Sequence, residues 1–135
     1  MNVRRSPRRR RAWDWMCLGE AALLYLFVAA ALRTMSYPRV QRSLEQLARF
    51  RSRGRSSVSD VTWAISAVGK RFGRPTCLAE AAVAYTMLRR RGFEPRLRIG
   101  VRRGESVLEA HAWVECDGTV VMGELPEMTG YAVLG

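Results

Sequence analysis

Two residues of this chain have the makings of a thiol enzyme. Cys77 follows Thr76, a good helix N-cap, so it stands at the start of a helix whose unpaired amides and positive dipole end favour an anionic sulfur. His111 is the single histidine, and any imidazole acid or base must therefore be this one. Taken alone, a lone cysteine is usually a small buried hydrophobe and a strand histidine a satisfied, half-buried side chain. With an acid beside the imidazole, however, the three supply the nucleophile, base and orienter of covalent acyl transfer. Cys17 falls in an apolar helix and Cys116 beside a turn, and both are expected to be structural.

The acid follows from strand arithmetic. Alternation puts His111, Trp113 and Glu115 on one face of a strand and Ala112, Val114 and Cys116 on the other, with Trp113 expected to pack in the core. If Asp117-Gly118 is a two-residue turn, Cys116 pairs with Thr119, Glu115 with Val120, Val114 with Val121, Trp113 with Met122, Ala112 with Gly123 and His111 with Glu124. Directly opposed β-carbons are about 5 Å apart, close enough for the Glu124 carboxylate to hold the imidazole. Asp117 would be roughly 20 Å from His111 and is a turn residue.

The elements that must position these residues read as follows. Residues 1–11 hold six arginines and almost nothing apolar, and form a solvated tail. An apolar helix is expected at about 14–34, buried, with Asp14 as its N-cap, and a shorter one at about 39–50 on Val40, Leu44 and Leu47. The stretch RFRSRGRSSVSD, with Gly54, is the best candidate loop or linker. From Ser59 a helix runs to Gly69 or Gly73, and after Pro75 another, with Leu78, Ala81, Ala82, Tyr85 and Leu88 on one face, stops at Arg91-Gly92. Leu97, Ile99 and Val101 then alternate with Arg96, Arg98 and Arg102 as a half-buried strand; a second runs over about 107–116, TVVMG completes the hairpin, and YAVL at 131–134 could add a last strand. The class is α+β.

Length and charge bound the rest. A chain of 135 residues makes one compact domain, which excludes a multidomain enzyme. The formal charge is +11, concentrated in residues 1–75, which hold 16 basic and 4 acidic side chains, against 7 and 8 in the remainder. Three cysteines at long spacings and one histidine suggest neither a disulfide framework nor a metal site, and a reducing cytoplasm fits. The longest apolar run, Ala21 to Leu32, is shorter than the roughly 20 residues of a bilayer span. An arginine-rich start before an apolar stretch also has the layout of a signal peptide, but the run is better read as part of a core helix.

The segment RPTCLAEAAVAYTMLRRRGFEPRLRIGVRRGESVLEAHAWVECDGTVVMGE resembles the transglutaminase-like cysteine peptidases of lasso-peptide biosynthesis. The likeness covers roughly residues 60–135 through the CL helix start, LRRRG, IGV and AHAWVE-DG, with WAI and SYPR upstream in agreement. With the basic tail at 1–11 and the helical segment and linker at 12–56 read from composition, the resemblance implies a papain- and transglutaminase-like core at 57–135, its nucleophile at a helix N-terminus packed on an antiparallel sheet. It further implies Cys77 as nucleophile and His111 as general base and acid, in a Cys-His-acid triad that cleaves the leader from a precursor peptide through a thioester, without cofactor or metal. Relatives usually end the second hairpin strand with an Asp; here the chain reads Met122-Gly123-Glu124, and Glu124 is the substitute. The partners implied are the precursor peptide, a small leader-recognition protein and an ATP-dependent cyclase, with no specific nucleic acid and no membrane span.

Three other readings stay open on the sequence, one of them that the helix at 14–34 docks partner proteins or a membrane surface. The same triad would serve an acyltransferase with an amine acceptor. A non-enzymatic basic module would use the tail and the arginines at 49–55 to neutralise nucleic-acid phosphates, although no motif with stacking aromatics is present. Arg96, Arg98, Arg102 and Arg103 suit a solvated strand face, or one that attracts an acidic leader.

Overall fold

The computed structural model describes residues 12–52, 56–71, 76–123 and 131–133, with side chains from Trp15 onward. Among these lie four helices and four strands: α1 (Ala12–Thr34), α2 (Tyr37–Ala48), α3 (Val58–Arg71), α4 (Cys77–Arg90), β1 (Pro95–Arg103), β2 (Leu108–Cys116), β3 (Thr119–Met122) and β4 (Ala132–Val133). The strands form one antiparallel sheet in the order β3-β2-β1-β4. This is the α+β architecture expected. The arginine tail and Gly54 lie outside the described residues.

Helix α4 is the centre of the molecule, touching the other three helices and strands β1, β2 and β3. Its composition explains why: Ala79, Ala81, Ala82, Val83 and Ala84 are small, and all are buried, so neighbours approach on every side. Thr86, also buried, keeps its hydroxyl satisfied by donating to the Ala82 carbonyl at 2.9 Å. Both ends of α4 are set by local sequence. Thr76 caps the start, and at the finish the amides of Gly92 and Phe93 donate to the carbonyls of Arg89 and Leu88, with Gly92 at φ +84°. That is a Schellman stop, and it needs a residue free to adopt the left-handed region.

Helix α3 starts with a reciprocal cap. The Asp60 amide donates to Ser57 Oγ and the Ser57 amide to Asp60 Oδ2.

Helix α1 departs from expectation twice. It begins at Ala12, so Asp14 lies within the first turn rather than ahead of it as a cap. It is also only half buried: Cys17, Ala21, Leu24, Tyr25, Val28 and Ala31 face the core, whereas Met16, Leu23, Leu26 and Phe27 are exposed. The reason is that α1 packs against α2, α3 and α4 along one side only. Trp15–Thr34 is long and apolar enough, by length and composition, to cross a membrane.

A buried ionic cluster ties α1 to the end of α4. Glu20 receives Arg90 Nη1 on Oε1 and Arg91 Nη2 on Oε2, the latter at 2.6 Å. The Arg91 side chain is 3% exposed. Burial opposes its charge, but the hydrogen bond and charge of Glu20 outweigh that and hold its pKa above the usual value. Arg91 also donates to the Met87 carbonyl and to Cys17 Sγ, and Cys17 meets Ser56 Oγ at 3.0 Å. Arg90 reaches the Phe50 carbonyl while Ser52 donates to the Arg90 carbonyl, so the segment after α2 is tethered here as well.

The sheet has two unlike faces. Leu97, Ile99, Ala112, Val114 and Met122 pack toward the helices. On the opposite face, β1 and β2 pair Arg98 with Trp113, Gly100 with His111 and Arg102 with Glu109. The hairpin at Asp117-Gly118 forms as expected, both residues having positive φ (52° and 76°). The register beyond it does not continue as counted. A bulge between Val114 and Glu115 sets Met122, not Val121, opposite Val114, and thereby turns the Met122 side chain into the core.

Replacing Glu20 with Ala is expected to lower unfolding stability by about 3 kcal/mol, because it strands a buried guanidinium. Urea denaturation of the two proteins side by side measures this; an unchanged midpoint would mean the cluster is not a stabilising clamp.

Candidate active site

Cys77 is the first residue of α4, and Thr76 Oγ1 accepts the Ala79 amide at 3.2 Å. The Glu80 amide donates to the Thr76 carbonyl. Cap and helix bonds thus begin at Ala79, and the amides of Cys77 and Leu78 precede them at the positive end of the helix. Of the three cysteines, Cys17 and Cys116 are buried and Cys77 is half exposed. Burial, reinforced by the charge of Asp117, pushes the Cys116 thiol up, away from thiolate character. Cys17 is held by Ser56 and Arg91 in the cluster above.

His111 stands on the sheet face that points away from Ala112 and Val114. Its Nε2 lies 2.5 Å from the Gly123 carbonyl oxygen. A carbonyl only accepts, so Nε2 carries a proton, and in the neutral ring Nδ1 is then the nitrogen with the lone pair. The ring stacks on Trp113 at 6.0 Å between centroids and meets Tyr131 at 5.8 Å. Trp113 is 4% exposed, its Nε1 donating to Glu115 Oε1 at 2.9 Å, and Glu115 also pairs with Arg98. Trp113 is therefore packed as expected, but on the aromatic face and not among the side chains under the helices. A β-carbon on Gly100 would lie 2.8 Å from two atoms of the Trp113 ring and 3.0 Å from Tyr131 Cβ. The missing side chain is what admits the indole beside the histidine.

The expected pairing of Trp113 with Met122 is not what the ladder makes, and the expected partner of His111, Glu124, lies outside the described residues. The bulge moves each residue after Val120 one step along, and the regular pairing of β3 ends at Met122. Gly123 then runs alongside β2: its β-carbon position is 2.8 Å from the Ala112 carbonyl, at φ +84°. Among the described residues the partner of the imidazole is the Gly123 main-chain carbonyl.

Cys77 opens α4, and His111 stands on β2. The short turn Gly92 to Glu94 reverses the chain from α4 into β1, and α4 packs on β1 and β2. No hydrogen bond joins the two residues, and alternation keeps the imidazole on the face opposite the α4 contact. The arginines divide likewise. Arg102 donates to Glu109 Oε2 at 2.6 Å and lies 4.9 Å from the Tyr131 ring centre, Arg98 pairs with Glu115, and Arg96 and Arg103 are exposed.

Gly100, Gly123 and Tyr131 were not singled out by the sequence. A glycine within the IGV strand pattern was the one available signal, since an interior strand glycine often marks a close approach. An open groove of about 370 Å³ lies beside Gly123, between Thr62, Trp63 and Ser66 of α3 and Val120 to Met122 of β3.

A capped cysteine helix laid on an antiparallel sheet that carries the histidine is the arrangement to compare with known proteins. The family model of the transglutaminase-like superfamily matches residues 22–135. The chain belongs to the transglutaminase-like superfamily. No curated protein and no solved structure matches it. The superfamily match starts within α1, and includes α2 as well as the segment that holds Cys77 and His111. At this level the chemistry it supports is that of a cysteine protease or acyltransferase.

Glu80, in the first turn of α4, sits one turn from Cys77. Burial holds its carboxyl above the usual 4.5, and burial together with the Glu80 charge pushes the Tyr25 hydroxyl up to about 12. A carboxyl raised by folding favours the folded state only while protonated, and that contribution is lost as pH rises through its folded value. Glu80→Gln is therefore expected to be more stable than the wild type at pH 7 and equal to it below about pH 4; urea midpoints across that range test the sign. Gly100→Ala is expected to displace Trp113 and cost about 1–3 kcal/mol, with a changed near-ultraviolet circular dichroism. An unchanged aromatic spectrum would show that the site tolerates a methyl there.

Proposed function

We propose that this chain is a cysteine peptidase that cleaves the leader from a ribosomally made lasso-peptide precursor before macrolactam cyclisation. The observation that supports the reading is the half-exposed Cys77 at the capped start of α4, in a chain of this superfamily. The narrower assignment to leader cleavage is supported by the likeness of residues 60–135 to the leader peptidases of that pathway.

In this mechanism the Cys77 sulfur attacks the carbonyl carbon at the leader-core junction, after His111 Nδ1 has taken the thiol proton. The amides of Cys77 and Leu78 stabilise the oxyanion. Collapse of the intermediate breaks the C–N bond, and His111 gives the proton to the leaving amine. Water, deprotonated by the same nitrogen, then hydrolyses the thioester and frees the thiol. Because the imidazole stands on the sheet face away from α4, this mechanism requires the backbone around Cys77 or His111 to rearrange as substrate binds. Glu124 is the acid proposed to support His111 in that state, next to the Gly123 carbonyl that holds it here. The groove beside Gly123 suits an extended peptide. A small leader-recognition protein delivers the precursor, an ATP-dependent cyclase consumes the product, and the free cysteines accord with a cytoplasmic site.

With precursor peptide and its recognition protein, wild-type enzyme is expected to cut at one junction. Cys77→Ala and His111→Ala should each be slower by about a thousandfold or more, with Glu124→Gln less affected. Mass spectrometry of the products follows this. Equal cleavage by Cys77→Ala would remove the thiol mechanism, and an adduct with added amine in place of the free acid would favour acyl transfer.

A further inference from the structure

Helix α1 is apolar on both sides, but the fold covers only one. The described residues on its open side from 16 to 30 are Met16, Gly19, Leu23, Leu26, Phe27 and Ala30, and none is polar. Leu23 is 72% exposed, Met16 61%, Leu26 52% and Phe27 42%. At about 1.5 Å per residue the stripe is roughly 20 Å long. An uninterrupted apolar face on a soluble domain marks a place where something else binds.

The neighbouring sequence says what. Residues 1–11, directly before α1, carry Arg4, Arg5, Arg8, Arg9, Arg10 and Arg11 and no acid, and Arg33 stands at the far end of the helix. We propose that the outer face of α1 lies on an anionic membrane surface, its apolar stripe at the acyl boundary and the adjoining arginines on lipid phosphates. Stable attachment of this kind takes two signals, an apolar one and a polybasic one, and the two are contiguous here. Although Trp15–Thr34 has the length of a span, Glu20 and its partners Arg90 and Arg91 fix the other side of α1 to the domain. The helix therefore rests on the bilayer and does not cross it. The proposal is independent of the peptidase reading.

The test is flotation of the full chain with vesicles of phosphatidylglycerol and phosphatidylcholine in equal parts, against phosphatidylcholine alone. Wild type is expected to float with the anionic vesicles, and about tenfold less at high salt. Leu23→Glu with Leu26→Glu, both exposed, should fold normally by circular dichroism and lose at least about tenfold in binding. Neutralising Arg8, Arg9, Arg10 and Arg11 to Gln should have an effect of the same order. Failure of the wild type to float, or undiminished binding by the folded double variant, would overturn the proposal. So would a wild-type dimer that the leucine substitutions dissociate without any lipid binding, which would assign the stripe to a second copy, or resistance to alkaline extraction, which would assign it to a span.

Discussion

Everything in this molecule is arranged around a helix that is buried on nearly all sides. Helix α4 is surrounded because its alanines bring three helices and the sheet within contact distance at once. A helix so enclosed can leave its ends accessible but little else, and its first residue is Cys77. Burial of the shaft thus singles out the terminus, where unpaired amides face the surroundings and can meet a developing oxyanion. At the other terminus the same burial takes a polar form, with Arg91 enclosed and matched by Glu20. One end is closed by ion pairing to α1; at the other stands the half-exposed Cys77.

The histidine is placed by different means. Its position on β2 comes from the strand, but its protonation pattern comes from Gly123, whose carbonyl holds Nε2 and, in the neutral ring, leaves Nδ1 with its lone pair. A main-chain partner follows from the bulge: with Met122 drawn into the core opposite Val114, the chain after it passes close along β2, and only a glycine fits against the Ala112 carbonyl. The aromatic wall of Trp113 and Tyr131, made possible by Gly100, lines the ring on its exposed face. The imidazole therefore sits in a packed, oriented setting while still apart from the thiol.

Helix α1 illustrates how one sequence pattern can satisfy two surfaces. A helix apolar all round belongs in a core or in lipid, and here one side is in the core while the other is open. Glu20 and its arginine partners mark the inner side, since a carboxylate with two guanidiniums belongs against the domain.

Much of this was legible in the chain alone, because it rests on short-range rules. Thr76 before Cys77 and Gly92 after Arg91 bound α4 where capping and φ requirements place them; Asp117-Gly118 makes its turn because both positions tolerate positive φ; and alternation correctly grouped His111, Trp113 and Glu115 on one face. What required the tertiary structure depends on competition between distant parts. The bulge arises where the core's demand for Met122 overrides the regular count from the turn, and no local pattern announces it. The half-exposure of α1, the closure of Trp113 over Gly100 and the choice of the Gly123 carbonyl as the imidazole's partner are likewise settled by which surfaces meet. Residue types and spacing determined the elements and their chemistry; packing alone decided which faces turn inward and which atoms face the histidine.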